Sequence, residues 1–344
     1  MITRSTGMKT AGRALFFAAL LFGGAASAQA DTLSIEARCD AAAGSRYDTT
    51  RNTAFAPVAL DDIEIGPALS ACREAYKAGG GARMAFQLAR ALERAGQSLD
   101  AMKLYAEAAA LGHTVAMVNY GGMLGKRGDP AGEFSHYKKA AELGDLLGAY
   151  NLAVAYRDGI GTDVNGAEAA RWFDKAAAAG DETAAFNLGV LFDDGSLVPE
   201  DNGRAAAFYK LAAEGGNVDA MINLGLMLES GEGVAQDLAA AAGYFQLAAA
   251  QGDSYGKLKF GLMQQSGTGI VKNVEQAVSS LVAAFEMRDV DLEVILRDQP
   301  EQLSADARLA IKQVLAARDL IDGAENAEID PITLGAIEKH YAQQ

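Results

Sequence analysis

The hexapeptide Ala184–Gly189 (AAFNLG) returns 36 residues later as Ala220–Gly225 (AMINLG). Between the two copies lie a loop that carries Gly195 and a second helix-forming run, Ala205–Glu214. A pair of helices this short cannot bury its apolar face alone, so each pair must stack on copies of itself. The sequence therefore predicts a repeat protein built from helix pairs.

The same register extends in both directions from these two copies. The first helix of each pair (helix A) carries a small residue at Ala89, Gly121, Ala153, Gly189, Gly225 and Gly261. The second helix (helix B) carries a large apolar residue at Tyr105, Tyr137, Phe173, Tyr209, Phe245 and Leu281. From B to the next A the spacing is always 16 residues, whereas from A to B it is 16 in the first two units and 20 in the other four. This pattern predicts an all-α, right-handed α-α solenoid of about six helix pairs, spanning residues 82–288, with a capping element at each end.

The four-residue insertion always enters the loop between helix A and helix B, and this loop has its own pattern. A glycine stands where the end of helix A needs a positive φ, at Gly159, Gly195, Gly231 and Gly267. A residue suited to capping helix B, worth about 1 kcal/mol over alanine, follows at Asn165, Asp201, Asp237 and Asn273. A glycine inside helix A costs up to about 1 kcal/mol relative to alanine. Its recurrence there predicts that helix B approaches closely.

The full pattern is A-x-x-N-L-G-x-x-[YF]-x-x-G-x-G-[VI]-x-x-[DN], followed by a helix that ends in Ala-Ala-x-x-Gly. It resembles the Sel1-like repeats, which are relatives of the tetratricopeptide repeats. The best copies are residues 148–180, 184–216 and 220–252, and the two units before them are more similar to plain tetratricopeptide units. The resemblance implies an adaptor or scaffold that has no catalytic residues.

The N-terminus has the features of a secretory signal peptide over residues 1–30. Basic residues precede the apolar run Ala14–Phe22, and small-residue cleavage sites end at Ala28 and Ala30. An uncleaved anchor is the alternative, although the run is too short to span a bilayer. We therefore expect a periplasmic protein that is not inserted in the membrane after cleavage.

Export bears on the two cysteines of the chain, Cys39 and Cys72. An even pair in an oxidising compartment favours a disulfide, and a catalytic thiol is the alternative. We place the pair in an N-terminal cap, residues 31–81, in which residues 31–60 are expected to be irregular and residues 68–77 helical.

Charge limits the partners. The formal net charge is −15, and removal of the three basic residues of the leader lowers it to −18. Such a chain repels phosphate backbones, so nucleic acid is excluded as a partner, whereas basic partners are attracted. The three histidines, His113, His136 and His340, show no metal-ligand spacing, and no motif for a cofactor or a catalytic site is found.

The last segment, residues 289–344, departs from the period. It resembles the latter part of small peptidoglycan-binding-like domains, but it departs from their pattern at Asn326–Ala327, Ile329 and Asp330. The matching residues are Leu315, Leu320, Gly323, Pro331, Thr333, Ala336 and Ile337. The segment is either a module that associates with peptidoglycan or simply a helical C-terminal cap.

One polar row recurs two residues before the small residue of helix A. Its members are Gln87, Asn119, Asn151, Asn187, Asn223 and Lys259. In tetratricopeptide relatives helix A lines the concave face, where amides can bind the backbone of an extended peptide. Alternatively, each amide bonds the neighbouring repeat and locks the stack.

The favoured function is a periplasmic, non-enzymatic scaffold that binds a protein or peptide in the concave groove. Two alternatives stay open. One is a cell-envelope factor that associates with peptidoglycan through residues 289–344, and the other is a regulator of an exported enzyme or sensor.

Overall fold

The computed structural model describes residues 33–287 and 292–342, and within these ranges the chain forms helices and loops without a β-strand. The signal peptide predicted for residues 1–30 lies outside the described residues, and so does the boundary predicted between 288 and 289. The chain divides into two compact units, of which the first ends at Gly148 and the second begins at Ala149.

The helices follow the order that the repeat pattern predicts. The N-terminal cap contains α1 (Ile35–Ala43) and α2 (Ile65–Lys77). The A helices are α3 (Gly81–Arg94), α5 (Thr114–Lys126), α7 (Leu146–Asp158), α9 (Glu182–Asp194), α11 (Val218–Ser230) and α13 (Ser254–Ser266). The B helices are α4 (Ser98–Ala110), α6 (Pro130–Glu142), α8 (Gly166–Ala177), α10 (Asn202–Glu214), α12 (Leu238–Ala250) and α14 (Val274–Met287). The C-terminal segment contains α15 (Leu292–Asp298), a short 3₁₀ turn (Pro300–Gln302), α16 (Ala305–Ala317) and α17 (Pro331–Tyr341).

Packing follows sequence order in each unit. In the first unit every helix from α1 to α5 packs on the next one, and in the second unit every helix from α8 to α13 does so. The prediction of an all-α solenoid of helix pairs is therefore confirmed.

The inserted loops close as their residues predict. Gly195 ends α9 with φ +66°, and the Asp201 carboxylate accepts a hydrogen bond from the Arg204 amide at 2.9 Å to begin α10. The Asp201 amide donates in turn to the carbonyl oxygen of Phe192 at 2.9 Å, which ties the end of the loop back to helix A. The other three loops repeat both features, with caps at Asn165, Asp237 and Asn273.

The small residue of helix A is needed because the ring of helix B lies directly against it. A Cβ added at Gly189 would stand 2.6 Å from the Tyr209 ring, and one at Gly225 would stand 2.7 Å from the Phe245 ring. These distances are below any ordinary carbon–carbon contact, so the predicted close approach of helix B is confirmed.

The N-terminal cap differs from the prediction in one respect. The disulfide Cys39–Cys72 is present, with an S–S length of 2.07 Å, and it joins α1 to α2. The expectation that residues 31–60 are irregular is wrong for Ile35–Ala43, which is helical and is capped by the Ser34 hydroxyl. This nine-residue helix is held by the disulfide and by buried contacts to α3, which a local pattern cannot reveal.

The C-terminal segment shares its core with the last repeat. Leu281 and Phe285 of α14 belong to one buried cluster with Leu303, Ile311 and Ile337. The helices after α14 therefore cover the apolar face that the last repeat would otherwise expose.

Candidate functional site

The polar row predicted on the A helices is the candidate site, and its members differ in exposure. Gln87 is fully buried, because the N-terminal cap covers this part of α3. Its side-chain amide donates to the Asp40 carboxylate of α1 at 2.6 Å. Gln87 thus fastens the cap to the first repeat, and it is not accessible to a partner.

Next to Gln87, Arg90 fastens the cap in a second way. Its guanidinium is buried and donates to the backbone carbonyl oxygens of Ala43 and Val58, the second at 2.7 Å. Burial lowers the pKa of Arg90 from its ordinary value, although nearby anionic groups oppose the shift. Two polar side chains of α3 therefore serve the cap.

Asn119 and Asn223 bond to a tyrosine of the preceding helix B. Tyr105 receives a hydrogen bond from Asn119 and donates its own proton to Glu93 at 2.7 Å. In the second unit, Tyr209 is hydrogen-bonded to Asn223 and donates to the Asp193 carboxylate at 2.9 Å. Each hydroxyl thus links two consecutive repeats.

Burial raises the pKa of the Tyr105 hydroxyl well above its ordinary value of 10.0, and the Glu93 carboxylate raises it further. Burial and the Asp193 carboxylate act in the same way on the pKa of Tyr209. Both tyrosines therefore stay protonated at physiological pH and act as hydrogen-bond donors rather than as acids or nucleophiles.

The second repeat of the array, formed by α5 and α6, reaches a similar arrangement in a different way. Here helix A carries Gly125 where Glu93 and Asp193 stand in their repeats, and Tyr137 donates instead to Glu133 at 2.9 Å within α6. A Cβ at Gly125 would lie among the carboxylate atoms of Glu133, so the glycine leaves the space that Glu133 occupies.

Where the preceding helix B carries phenylalanine in place of tyrosine, the members of the polar row contact charged side chains. Asn187 accepts a hydrogen bond from Arg157 at 2.7 Å and donates to the carbonyl oxygen of Thr183 at 2.8 Å. Lys259 forms an ion pair with Glu229 at 2.6 Å and lies 5.5 Å from the centre of the Phe245 ring. Apart from the Asn187–Thr183 bond within α9, the described contacts of the row at Asn119, Asn187, Asn223 and Lys259 thus run between neighbouring repeats. They favour the interpretation that the row locks the stack.

The sequence interpretation missed the carboxylates that complete these contacts. They stand four residues after the small residue of helix A, at Glu93, Asp193 and Glu229. The recurrence was visible as a spacing. The role of these carboxylates depends on a tyrosine or lysine of a different helix, so it was not evident from the sequence of helix A alone.

Partly exposed apolar side chains lie beside the row on the A helices of the second unit. Val190 of α9 is 38% exposed, and Phe186, Ile222 and Leu226 are partly exposed. They occupy positions on either side of Asn187 and Asn223 along their helices. This part of the A-helix surface (the A-face: Phe186, Val190, Ile222 and Leu226) combines apolar area with amides that retain unused hydrogen-bonding capacity.

The histidines have structural surroundings. The His113 ring is buried against Phe86, caps α5 by accepting from the Ala116 amide at 3.2 Å, and lies 3.3 Å from the Asp48 carboxylate. Burial acts to raise the pKa of Asp48, but the neighbouring His113 ring and the hydrogen bonds from Thr50 outweigh it, so the pKa of Asp48 is lowered from its ordinary value. Within residues 33–287 and 292–342, no group of three or more His, Cys, Asp or Glu side chains could hold a metal ion.

The residues that carry the peptidoglycan-binding resemblance are mostly core residues. Leu315, Thr333, Ala336 and Ile337 are all buried, and Asp330 caps α17 through the Thr333 amide at 2.7 Å. Buried and capping residues of this kind are needed by any helical cap, whatever its function. Their match to the peptidoglycan-binding-like pattern therefore does not test binding to the cell wall, which stays a prediction.

The geometry defines a helical repeat protein whose units are stacked pairs. The model of the Sel1 repeat matches residues 97–113, 134–145, 146–181, 183–217 and 218–253. These segments fall within the predicted array, and the helices α3, α5, α13 and α14 of the array lie outside the match.

Two solved structures support the same class. A protective antigen present in uropathogenic Escherichia coli strains, which displays an SLR fold, is 26% identical with a TM-score of 0.63. The match covers 80% of this chain and 56% of that protein, so this chain spans little more than half of its length. A Sel1 repeat protein from Oxalobacter formigenes is 24% identical with a TM-score of 0.58, covering 67% of this chain and 97% of that one, and it supports the fold alone. No curated protein sequence matches this chain.

Sel1 repeats typically bind proteins, and Sel1 repeat proteins are generally non-catalytic scaffolds. Among the described residues, none of the helices combines the length and the apolar character needed to cross a membrane.

Proposed function

We propose that this chain is a non-enzymatic periplasmic scaffold that binds a protein or peptide through its A-face. The observation that carries the proposal is the apolar surface that the A-face leaves open beside Asn187 and Asn223. Solvent-exposed apolar area next to amides suits a peptide backbone with apolar side chains, because the amides can both donate and accept.

Charge and compartment add to the proposal. The chain is strongly acidic, so a partner with basic residues would be attracted at long range. The Cys39–Cys72 disulfide is consistent with an oxidising compartment, and Sel1 repeat proteins are often exported. Both features agree with the signal peptide predicted from the sequence.

The test begins with partner capture from periplasm by the full mature chain, followed by comparison of variants. Val190→Asp is expected to weaken binding of the captured partner by roughly tenfold or more, because it places a charge in the apolar contact. Its melting temperature should stay close to that of the unchanged chain, since Val190 is already exposed. Val164→Asp, which changes an exposed loop valine, is the matched control.

The polar row gets a separate test, the double variant Asn187→Ala/Asn223→Ala. Loss of partner binding with unchanged melting would show that the amides contact the partner. Loss of stability with retained binding would show that they serve only the stack. If capture recovers no specific protein and neither variant alters binding, the scaffold proposal fails.

A further inference from the structure

Helix α12 differs from the other B helices in its outer surface. Its sequence, LAAAAGYFQLAAA, contains no charged residue. The outward positions two before and two after its buried ring are Gly243 and Leu247, and Leu247 is 52% exposed. The same two positions carry charged side chains in α4 (Lys103 and Glu107) and α8 (Arg171 and Lys175), whereas the neighbouring α10 carries Ala207 and Leu211 there.

The apolar area extends from α12 to the neighbouring helix B. A shallow groove between α10 and α12 is lined by Ala213, Glu214, Ala240, Gly243, Tyr244 and Leu247. Leu211 of α10 is also exposed, at 42%. We refer to Ala240, Gly243, Tyr244 and Leu247, together with Leu211, as the α12 face.

Gly243 is the feature that the fold of the single chain does not explain. A Cβ added there would meet no atom within 4 Å, whereas one at Gly225 would stand 2.7 Å from the Phe245 ring. Gly243 lies in the middle of a helix, where glycine costs up to about 1 kcal/mol relative to alanine. Glycine is used where another backbone must come close, and no such backbone from residues 33–287 or 292–342 lies at Gly243.

The α12 face is complementary to itself. It carries a knob, Leu247, and a notch, Gly243, separated by one helical turn. When two α12 helices cross in opposite directions about a twofold axis midway between these residues, Leu247 of each copy lies over Gly243 of the other. A twofold interface requires this reciprocal arrangement.

Charge also favours this face for contact between two copies. The net charge of −15 makes two copies repel each other over most of their surfaces, but α12 itself adds no like charge to the contact. At the margin, Lys210 and Glu214 lie 4.0 Å apart and supply both signs, so each can pair across the axis.

We propose that two copies of this chain associate through the α12 face, with antiparallel α12 helices packed at Gly243. The interface lies on the B helices, away from the A-face, so a dimer would present two A-faces to partners. The proposal rests on the exposed α12 surface and not on the identity of any partner.

The experiment measures the mass of the full mature chain by sedimentation equilibrium from about 1 µM to about 1 mM. The unchanged chain is expected to shift from monomer to dimer in this range. Leu247→Lys is expected to weaken association by roughly tenfold or more, because it buries an unpaired charge. Leu143→Lys is the control, because Leu143 is similarly exposed, at 58% against 52% for Leu247, but lies outside the α12 face.

Gly243→Ala separates an interface from a structural role. With no clash inside the chain, alanine should raise the melting temperature of the monomer, because it favours the helix. The same variant should weaken dimerisation, because the added methyl group fills the notch. A monomeric unchanged chain at the highest concentration, or equal weakening by Leu143→Lys, would overturn the proposal.

Discussion

At the scale of single residues, the most strongly constrained positions are glycines that lie directly against the backbone of another segment. Gly233 lies where an inserted loop crosses the start of α10, and a Cβ there would stand 2.4 Å from the carbonyl group of Asn202. At the preceding loop the roles are exchanged, because the loop carries Leu197 and the helix start carries Gly166, whose Cβ would stand 2.2 Å from the Leu197 oxygen. Each of these two contacts therefore keeps one glycine.

We predict that Gly233→Ala destabilises the chain more than Gly231→Ala does. Both glycines have positive φ, at +69° and +82°, which costs an alanine about 1–2 kcal/mol. A Cβ at Gly233 would also clash with the backbone of Asn202, whereas one at Gly231 would stand 3.5 Å from the nearest backbone atom, an ordinary contact. The total cost at Gly233 should therefore reach about 3 kcal/mol or more. Urea unfolding of the two variants measures the difference, and equal costs would show that the loop can move away from α10.

At the scale of elements, the N-terminal cap is held together by its disulfide and is joined to the first repeat by two buried polar side chains. The disulfide links α1 to α2, Gln87 bonds Asp40 of α1, and Arg90 bonds two backbone carbonyl groups of the cap. A nine-residue helix such as α1 is too short to be stable alone, so these contacts determine whether it forms.

We predict that the double variant Cys39→Ser/Cys72→Ser loses about 3–4 kcal/mol of stability, since the disulfide closes a long loop in the unfolded chain. Thermal melting with and without reductant measures this. The unchanged chain should approach the variant when reduced, and the variant should not respond to reductant. If reduction leaves the melting of the unchanged chain unaltered, the remaining contacts hold the cap without the disulfide.

At the scale of the whole molecule, tyrosines buried between repeats couple stability to alkaline pH. The pKa values of Tyr105, Tyr137 and Tyr209 are all raised by burial and then by a carboxylate. In the unfolded chain these groups lose their protons near pH 10, whereas the folded chain keeps them. The stability that depends on them is therefore fully present below about pH 10 and is lost as the pH rises through the folded pKa values.

We predict that the melting temperature falls steeply above about pH 10, and that Tyr209→Phe makes this fall shallower. The same variant should cost about 1–2 kcal/mol near neutral pH, because Asp193 and Asn223 lose a hydrogen-bond partner. Phenylalanine fits the site in shape, since Phe173 and Phe245 occupy the equivalent positions. Melting curves from pH 7 to pH 11 provide the measurement, and identical alkaline slopes for both proteins would contradict the prediction.

Much of the architecture could be read from the sequence, because its signals are local and repeated. The capping residues Asn165, Asp201, Asp237 and Asn273 bond amides three residues away. The close approach of helix B was predicted from the recurrence of a glycine inside helix A, where glycine is otherwise unfavourable. The small residue of helix A and the large apolar residue of helix B recur in six helix pairs. This repetition made the alignment of the repeats clear even where a single copy, such as the repeat with Gly125, differs from the others.

The candidate site was only partly predictable. The polar row was found by its spacing. The partner of each member, however, depends on whether the preceding helix B carries tyrosine or phenylalanine. It also depends on which charged residue stands four positions after the small residue of helix A. Gln87 has the same register as Asn187, yet a helix that begins at Ile35 covers it. The apolar α12 face went unnoticed, because an alanine-rich helix looks equally suited to burial.

By itself, the sequence determined that this chain is a stack of helix pairs, where each pair begins and ends, and that its two cysteines can bond. Those properties depend on contacts a few residues apart and on a period that every unit repeats. Only the tertiary structure decided which polar side chains are open to a partner and which are consumed inside the stack. That outcome depends on contacts between residues as far apart as Asp40 and Gln87, 47 positions away, and no local pattern encodes which surface a distant helix will cover.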